Sequence, residues 1–121
     1  MKSILLVEDD PFLIDIYTVK FKERGFSIDV AKDGDECFSK LEEGNPDLIL
    51  LDIVLPKLDG WEILRKLKND NKLDDMKIVI LSNLGQKGEV EKGMKLGAVE
   101  YLIKAHYTPT EVVEEVEKIL K

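Results

Sequence analysis

Six side chains able to handle charge and protons stand at recurring places in the chain: Glu8, Asp9 and Asp10 together, then Asp52, Ser82 and Lys104. Each group lies just past a short apolar run, so several carboxylates, a hydroxyl and an ammonium are expected to converge from separate elements. Asp10 precedes Pro11 and reads on its own as a helix cap. Asp52 is harder to assign to structure, because it directly follows Leu48-Ile49-Leu50-Leu51. An unpaired carboxylate there, close to Asp9 and Asp10, would be repelled by them and cost stability. A hard divalent cation makes such a cluster tolerable, and Mg²⁺ favours one or two carboxylates with water and phosphate oxygens. A lysine opposite the carboxylates offsets charge and can grip an incoming phosphoryl oxygen, while a hydroxyl hydrogen-bonds another. Type and spacing point to a metal-assisted phosphoryl or carboxyl site.

The elements that must position these groups alternate between two kinds. Ser3–Val7, Ser27–Ala31, Asp47–Leu51, Lys77–Leu81 and Val99–Ile103 are short and rich in branched residues, as strands covered on both faces are. Ser27–Ala31 alternates more than the rest and fits a strand nearer an edge. Between the runs the apolar period becomes helical. In Phe12–Arg24 a buried stripe is predicted from Phe12, Leu13, Ile16 and Val19, with Tyr17 and Phe21 nearly in phase. Trp61, Ile63, Leu64 and Leu67 mark another in Gly60–Asn69, and Val112, Val113, Val116, Ile119 and Leu120 a third. Asp33 with Glu36, and Thr108 with Pro109 and Glu111, resemble capping boxes. Gly25, Gly44 and Gly97 each fall between a helical run and a strand, where a left-handed residue is wanted. Five strand–helix repeats predict one α/β domain over residues 1–121, with a parallel sheet between two helical layers. In such sheets ligands bind beyond the carboxyl ends of the strands, where the six residues lie.

Composition narrows the classes. The 121 residues carry 18 basic and 25 acidic side chains, a formal charge of −7, which argues against direct nucleic-acid binding. No apolar run approaches a bilayer span, and no membrane association is expected. One cysteine, Cys37, and abundant lysine fit a reducing cytoplasm. Cys37 reads as a core residue, Trp61 and Tyr107 as packing at helix starts, and Asp59-Gly60 as the turn into the third helix. His106 has no His or Cys companion and reads as an ordinary loop residue.

With those residues in view, the chain resembles the receiver domains of two-component response regulators, the chemotaxis regulator among them. The likeness rests on Val7-Glu8-Asp9-Asp10, on Asp52 followed four residues later by Pro56 and then by Asp59-Gly60, and on Ser82, Tyr101 and Lys104. It covers essentially the whole chain, and the intervals of 30 and 22 residues from Asp52 to Ser82 and from Ser82 to Lys104 fit the family. The resemblance implies a flavodoxin-like (βα)5 fold with strand order 2-1-3-4-5. It implies that Asp52 accepts a phosphoryl group from a sensor histidine kinase or phosphotransfer protein. Asp9, Asp10, Asp52 and the Val54 carbonyl would hold Mg²⁺. Ser82 and Lys104 would act on the phosphoryl group, and Ser82 with Tyr101 would form the switch. That switch would change the face made by the fourth helix, fifth strand and fifth helix, toward a downstream target protein or output domain. The only catalysis implied is phosphoryl transfer to the domain's own aspartate and slow self-dephosphorylation.

Several positions depart from the family. Ala105 replaces the usual proline after the lysine, and Asn83 is larger than the common alanine or glycine. Val54 and Leu84 are apolar where some members place polar groups near the attacking water, which is expected to slow hydrolysis. The last helix begins with Glu111, Glu114 and Glu115, and like charges across a two-fold axis predict a monomer or at most a weak dimer. Other classes fit less well. A dehalogenase-type phosphatase would want an acid at Val54, and a flavin or nucleotide binder a glycine- or hydroxyl-rich loop where Glu8-Asp9-Asp10 stands. A degenerate receiver acting only as a protein-interaction module is the remaining alternative.

Overall fold

The computed structural model describes residues 1–121. Five strands and five helices alternate along it. They are β1 (Ser3–Val7), α1 (Pro11–Glu23), β2 (Ser27–Ala31), α2 (Gly34–Glu43) and β3 (Leu48–Leu51), then α3 (Gly60–Asn69), β4 (Lys77–Ser82), α4 (Lys87–Lys95), β5 (Glu100–Ile103) and α5 (Pro109–Ile119). The strands form one parallel sheet in the order β2-β1-β3-β4-β5. The sequence extended strands three and five by one residue each, to Asp47 and Val99. Asp47 instead turns its carboxylate onto Ser3, and Val99 is 43% exposed.

Side chains alternate across the sheet and build two cores. Leu5, Val7, Ile49, Leu51, Ile78 and Ile80 face α2 and α3, while Ile4, Leu6, Leu48, Leu50, Val79 and Leu81 face α1 and α5. The three central strands are buried on both faces, which is why their runs are unbroken. β2 pairs only with β1, and its exposed edge explains its alternation.

The predicted stripe of α1 needs correction. Tyr17 and Phe21 are buried, with Leu13 and Ile14 packed beside them, whereas Phe12 and Val19 are 71% and 55% exposed. This helix is apolar on more than one face, so its sequence admits two stripes. Only the one facing α5 is covered. The capping boxes differ too. At α5 both halves form, Thr108 accepting from the Glu111 N–H and Glu111 from the Thr108 N–H. At α2 Asp33 accepts from the Glu36 N–H, but the Glu36 carboxylate goes to the Lys32 N–H. Gly25, Gly44 and Gly97 have positive φ as expected. The chain has no cis peptide bond, and Lys104–His106 form a single turn of 3-10 helix after β5.

Candidate functional site

At the carboxyl edge of the sheet, hydrogen bonds of the ladder continue one residue past two strands. The Glu8 N–H donates to the Ala31 carbonyl and the Asp52 N–H to the Val7 carbonyl, each at 3.0 Å. Glu8 and Asp52 are therefore held by the rigid sheet rather than by mobile loops, at 1% and 6% exposure. The loop after Asp52 folds back tightly. The Gly60 N–H donates to the Ile53 carbonyl at 2.8 Å, and a Cβ on Gly60 would lie 2.5 Å from the Asp52 carbonyl oxygen. Glycine there admits the start of α3 against the residue that carries the chemistry, after Asp59 caps the helix through the Glu62 N–H. Lys57, in the same loop, adopts φ 63°.

Lys104 arrives from the end of β5 and bridges two carboxylates. Its Nζ donates to Glu8 Oε1 and to Asp52 Oδ2, both at 2.8 Å. Glu8 Oε2 accepts from the N–H groups of Asp9 and Asp10, and Asp52 Oδ1 from the Val54 N–H at 3.2 Å. Burial drives the Glu8 pKa up and Lys104 holds it back, while the Asp52 charge adds to the rise. Burial works to lower the Lys104 pKa, but its hydrogen bonds to Asp52 and Glu8 outweigh that and raise it. One ammonium thus stands against two buried carboxylates, with Asp9 beside them. Donor oxygens of Glu8, Asp9 and Asp52 lie within 4.8 Å of one another. An oxygen-rich, electron-rich donor set of that span suits a hard divalent cation.

Asp10 is not in that trio. Its exposed carboxylate accepts from the Phe12 N–H at 2.9 Å and caps α1. The acidic set that forms is thus shifted by one residue from Asp9 and Asp10 to Glu8 and Asp9. Val54 is 59% exposed at the mouth of the site, and Asn83 is exposed too.

Ser82 and Tyr101 meet at a different point. Ser82 is fully buried, and its Oγ accepts from the Leu84 N–H at 3.3 Å. The Tyr101 hydroxyl donates to the Leu84 carbonyl, so both side chains fasten the loop between β4 and α4. The Tyr101 ring is turned inward, 7% exposed, and burial raises its phenol pKa. It lies against Gly93 of α4, where a Cβ would come 2.9 Å from Cδ2 of the ring. Elsewhere the structural readings hold. Cys37 is fully buried with its thiol pushed up to about 12, Trp61 is buried and His106 is exposed.

A doubly wound sheet of this order with an aspartate at the end of its central strand defines a class, the receiver domains of two-component signalling. The family model for the response regulator receiver domain matches residues 4–117, and the chain belongs to this family. It is 33% identical over 120 residues to the alkaline phosphatase synthesis transcriptional regulatory protein PhoP of Bacillus subtilis, covering 99% of this chain and 49% of that one. It is 39% identical over 102 residues to the transcriptional regulatory protein CusR of Escherichia coli, covering 84% and 44%. The chain thus spans about half the length of such relatives. Among solved structures, a Francisella response regulator receiver domain superposes with a TM-score of 0.90 at 29% identity, covering 99% and 97% of the two chains. A CheY-like receiver domain protein of Methanospirillum hungatei gives 0.88 at 26%, covering 99% and 94%.

Proposed function

We propose that residues 1–121 form one receiver domain that works as a phosphoacceptor switch, with Asp52 taking a phosphoryl group from a sensor histidine kinase or phosphotransfer protein. The observation that carries this reading is the buried Asp52 carboxylate, hydrogen-bonded to Lys104 at 2.8 Å and clustered with Glu8 and Asp9. An Asp52 oxygen attacks the phosphorus of a phosphohistidine as the P–N bond breaks, and the imidazole nitrogen leaves with the electron pair and takes up a proton. Asp9 and Asp52, with Glu8 and the Val54 carbonyl, would hold Mg²⁺, which supplies charge neutralisation at the phosphoryl oxygens. Asp10, occupied as a cap, is left out of that set. Lys104 supplies a donor to a phosphoryl oxygen, and the Ser82 hydroxyl a second.

Leu84 joins Ser82 to Tyr101, so moving the Ser82 hydroxyl disturbs the loop that Tyr101 fastens. That couples Asp52 to the face of α4, β5 and α5, read by a partner or output domain rather than by direct contact with nucleic acid. Relatives named as transcriptional regulators support an output of that kind. The exposed Glu111 and Glu114 on α5 favour a monomer or weak dimer, in the cytoplasm beside the kinase. No helix is long and apolar enough to cross a membrane.

Incubation with acetyl phosphate and Mg²⁺, followed by intact mass, tests the reading. The wild type gains one phosphoryl group and Asp52→Asn gains none. Equal labelling of that variant would overturn the assignment, and no labelling of the wild type would leave an interaction module.

A further inference from the structure

Away from the Asp52 site, the surface carries a concentration of charge opposite to that of the whole chain. A cleft of about 360 Å³ between α3 and α4 is lined by Arg65, Gly88, Glu91, Lys92, Lys95 and Leu96. Lys68 reaches across beside it, its Nζ 3.5 Å from the Lys95 carbonyl oxygen. Six of the chain's 18 cationic side chains pair with acids, among them Lys40, Lys57 and Arg24 with Asp29, Asp33 and Glu117. None of Arg65, Lys68, Lys92 and Lys95 has a carboxylate within ion-pair distance. Lys92 lies instead over the Trp61 ring, 4.3 Å from its centroid.

The arrangement has a period. Arg65 and Lys68 are three residues apart on α3, and Lys92 and Lys95 three apart on α4, so each helix presents a row of cations one turn long. Leu96 supplies an apolar patch, and Gly88 leaves the mouth open, since a Cβ there would meet nothing within 4 Å. The volume suits side chains rather than a whole helix.

We propose that this cleft docks a carboxylate-rich segment of a partner protein, one with Asp or Glu at successive helical turns. Charge complementarity selects that occupant over a nucleic acid. A polyanion would feel the net charge of −7 at long range, and the cleft itself offers no exposed ring for base stacking, because Trp61 is only 8% exposed beneath Lys92. A short acidic segment meets Arg65, Lys92 and Lys95 against the single acid Glu91, which Lys87 approaches at 4.0 Å. The cleft shares no residue with the Asp52 cluster, so docking to the unphosphorylated chain is measured separately from labelling at Asp52.

The test is an amide NMR titration of the full chain with a helical peptide bearing Glu at every third or fourth position. The expected result is saturable shifts at α3 and α4 around Arg65, Lys68, Lys92 and Lys95, weakened by salt and absent with the Gln version of the peptide. The double variant Arg65→Glu/Lys95→Glu binds about tenfold more weakly or worse. The control Lys20→Glu on α1 binds as the wild type does, as does Asp52→Asn. Absence of saturable shifts, shifts centred elsewhere, or equal loss in the control would overturn the proposal. So would tighter binding of a single-stranded oligonucleotide at the cleft. Shifts that grow with protein concentration alone would overturn it in favour of a second copy, docked through Glu111 and Glu114 of α5.

Discussion

The two ends of the same parallel sheet carry similar residues in opposite situations. At the amino end, Asp47 accepts from the Ser3 N–H at 2.7 Å, and this hydrogen bond holds its carboxyl below the ordinary range. Lys77 there donates to the Ile119 carbonyl at 2.9 Å and closes the end of α5. Each charge has a hydrogen-bond partner of its own. At the carboxyl end, Glu8 and Asp52 are buried together, share one ammonium, and Glu8 is pushed toward its neutral form. The first end is arranged for stability. The second holds a surplus of negative charge that the fold alone leaves uncompensated, which suits a site awaiting a cation and a phosphoryl group.

Substitutions at each end should separate these roles. The largest effect is expected from Gly60→Ala, because its Cβ would meet backbone atoms, the Asp52 oxygen at 2.5 Å and Ile53 Cα at 2.6 Å. A loss of about 3 kcal/mol in urea unfolding is expected, together with slower labelling by acetyl phosphate as the loop shifts. At the amino end, Asp47→Ala should cost about 1 kcal/mol at neutral pH and leave labelling unchanged. The sign with pH follows from the depressed Asp47 pKa. Its contribution is complete above the ordinary Asp value of about 4 and is lost as pH falls through the folded value. The gap between wild type and variant should therefore close in acid, and a gap independent of pH would remove the ion from the argument. The smallest effect belongs to Lys57, whose φ of 63° glycine adopts freely. Lys57→Gly is expected to gain about 0.5 kcal/mol net of glycine's own entropy, since the exposed pair with Asp33 contributes little.

Much of this was legible in the chain itself. The strands showed because β1, β3 and β4 are buried on both faces, and the strand ends then placed Asp52 and Lys104 together, with Ser82 one strand over on the Leu84 loop. Two features were harder to read. Phe12 and Val19 share the helical period of α1 with Leu13 and Tyr17, and only packing against α5 decides which stripe is covered. In Glu8-Asp9-Asp10 three adjacent acids look equivalent, although their backbones differ. Glu8 still belongs to the ladder and points into the sheet edge, while Asp10 has left it to cap α1. Asp10-Pro11 signals that cap, and a carboxylate bonded to the first turn of a helix is committed there. The signal for Glu8 was its place directly after the apolar run. The inward Tyr101 depends on Gly93, 8 residues earlier, a contact no local pattern announces.

The contrast between the two ends is tested most directly by thermal melting of the wild type and Asp52→Asn, in EDTA and in saturating Mg²⁺. Removing one of the crowded charges should make the variant melt higher than the wild type in EDTA, with Lys104 still paired to Glu8. Mg²⁺ should raise the wild type by mass action and the variant much less, narrowing or reversing the order. A variant that melts lower in EDTA and gains as much from Mg²⁺ as the wild type would contradict the account, because Asp52 would then be a stabilising charge like Asp47.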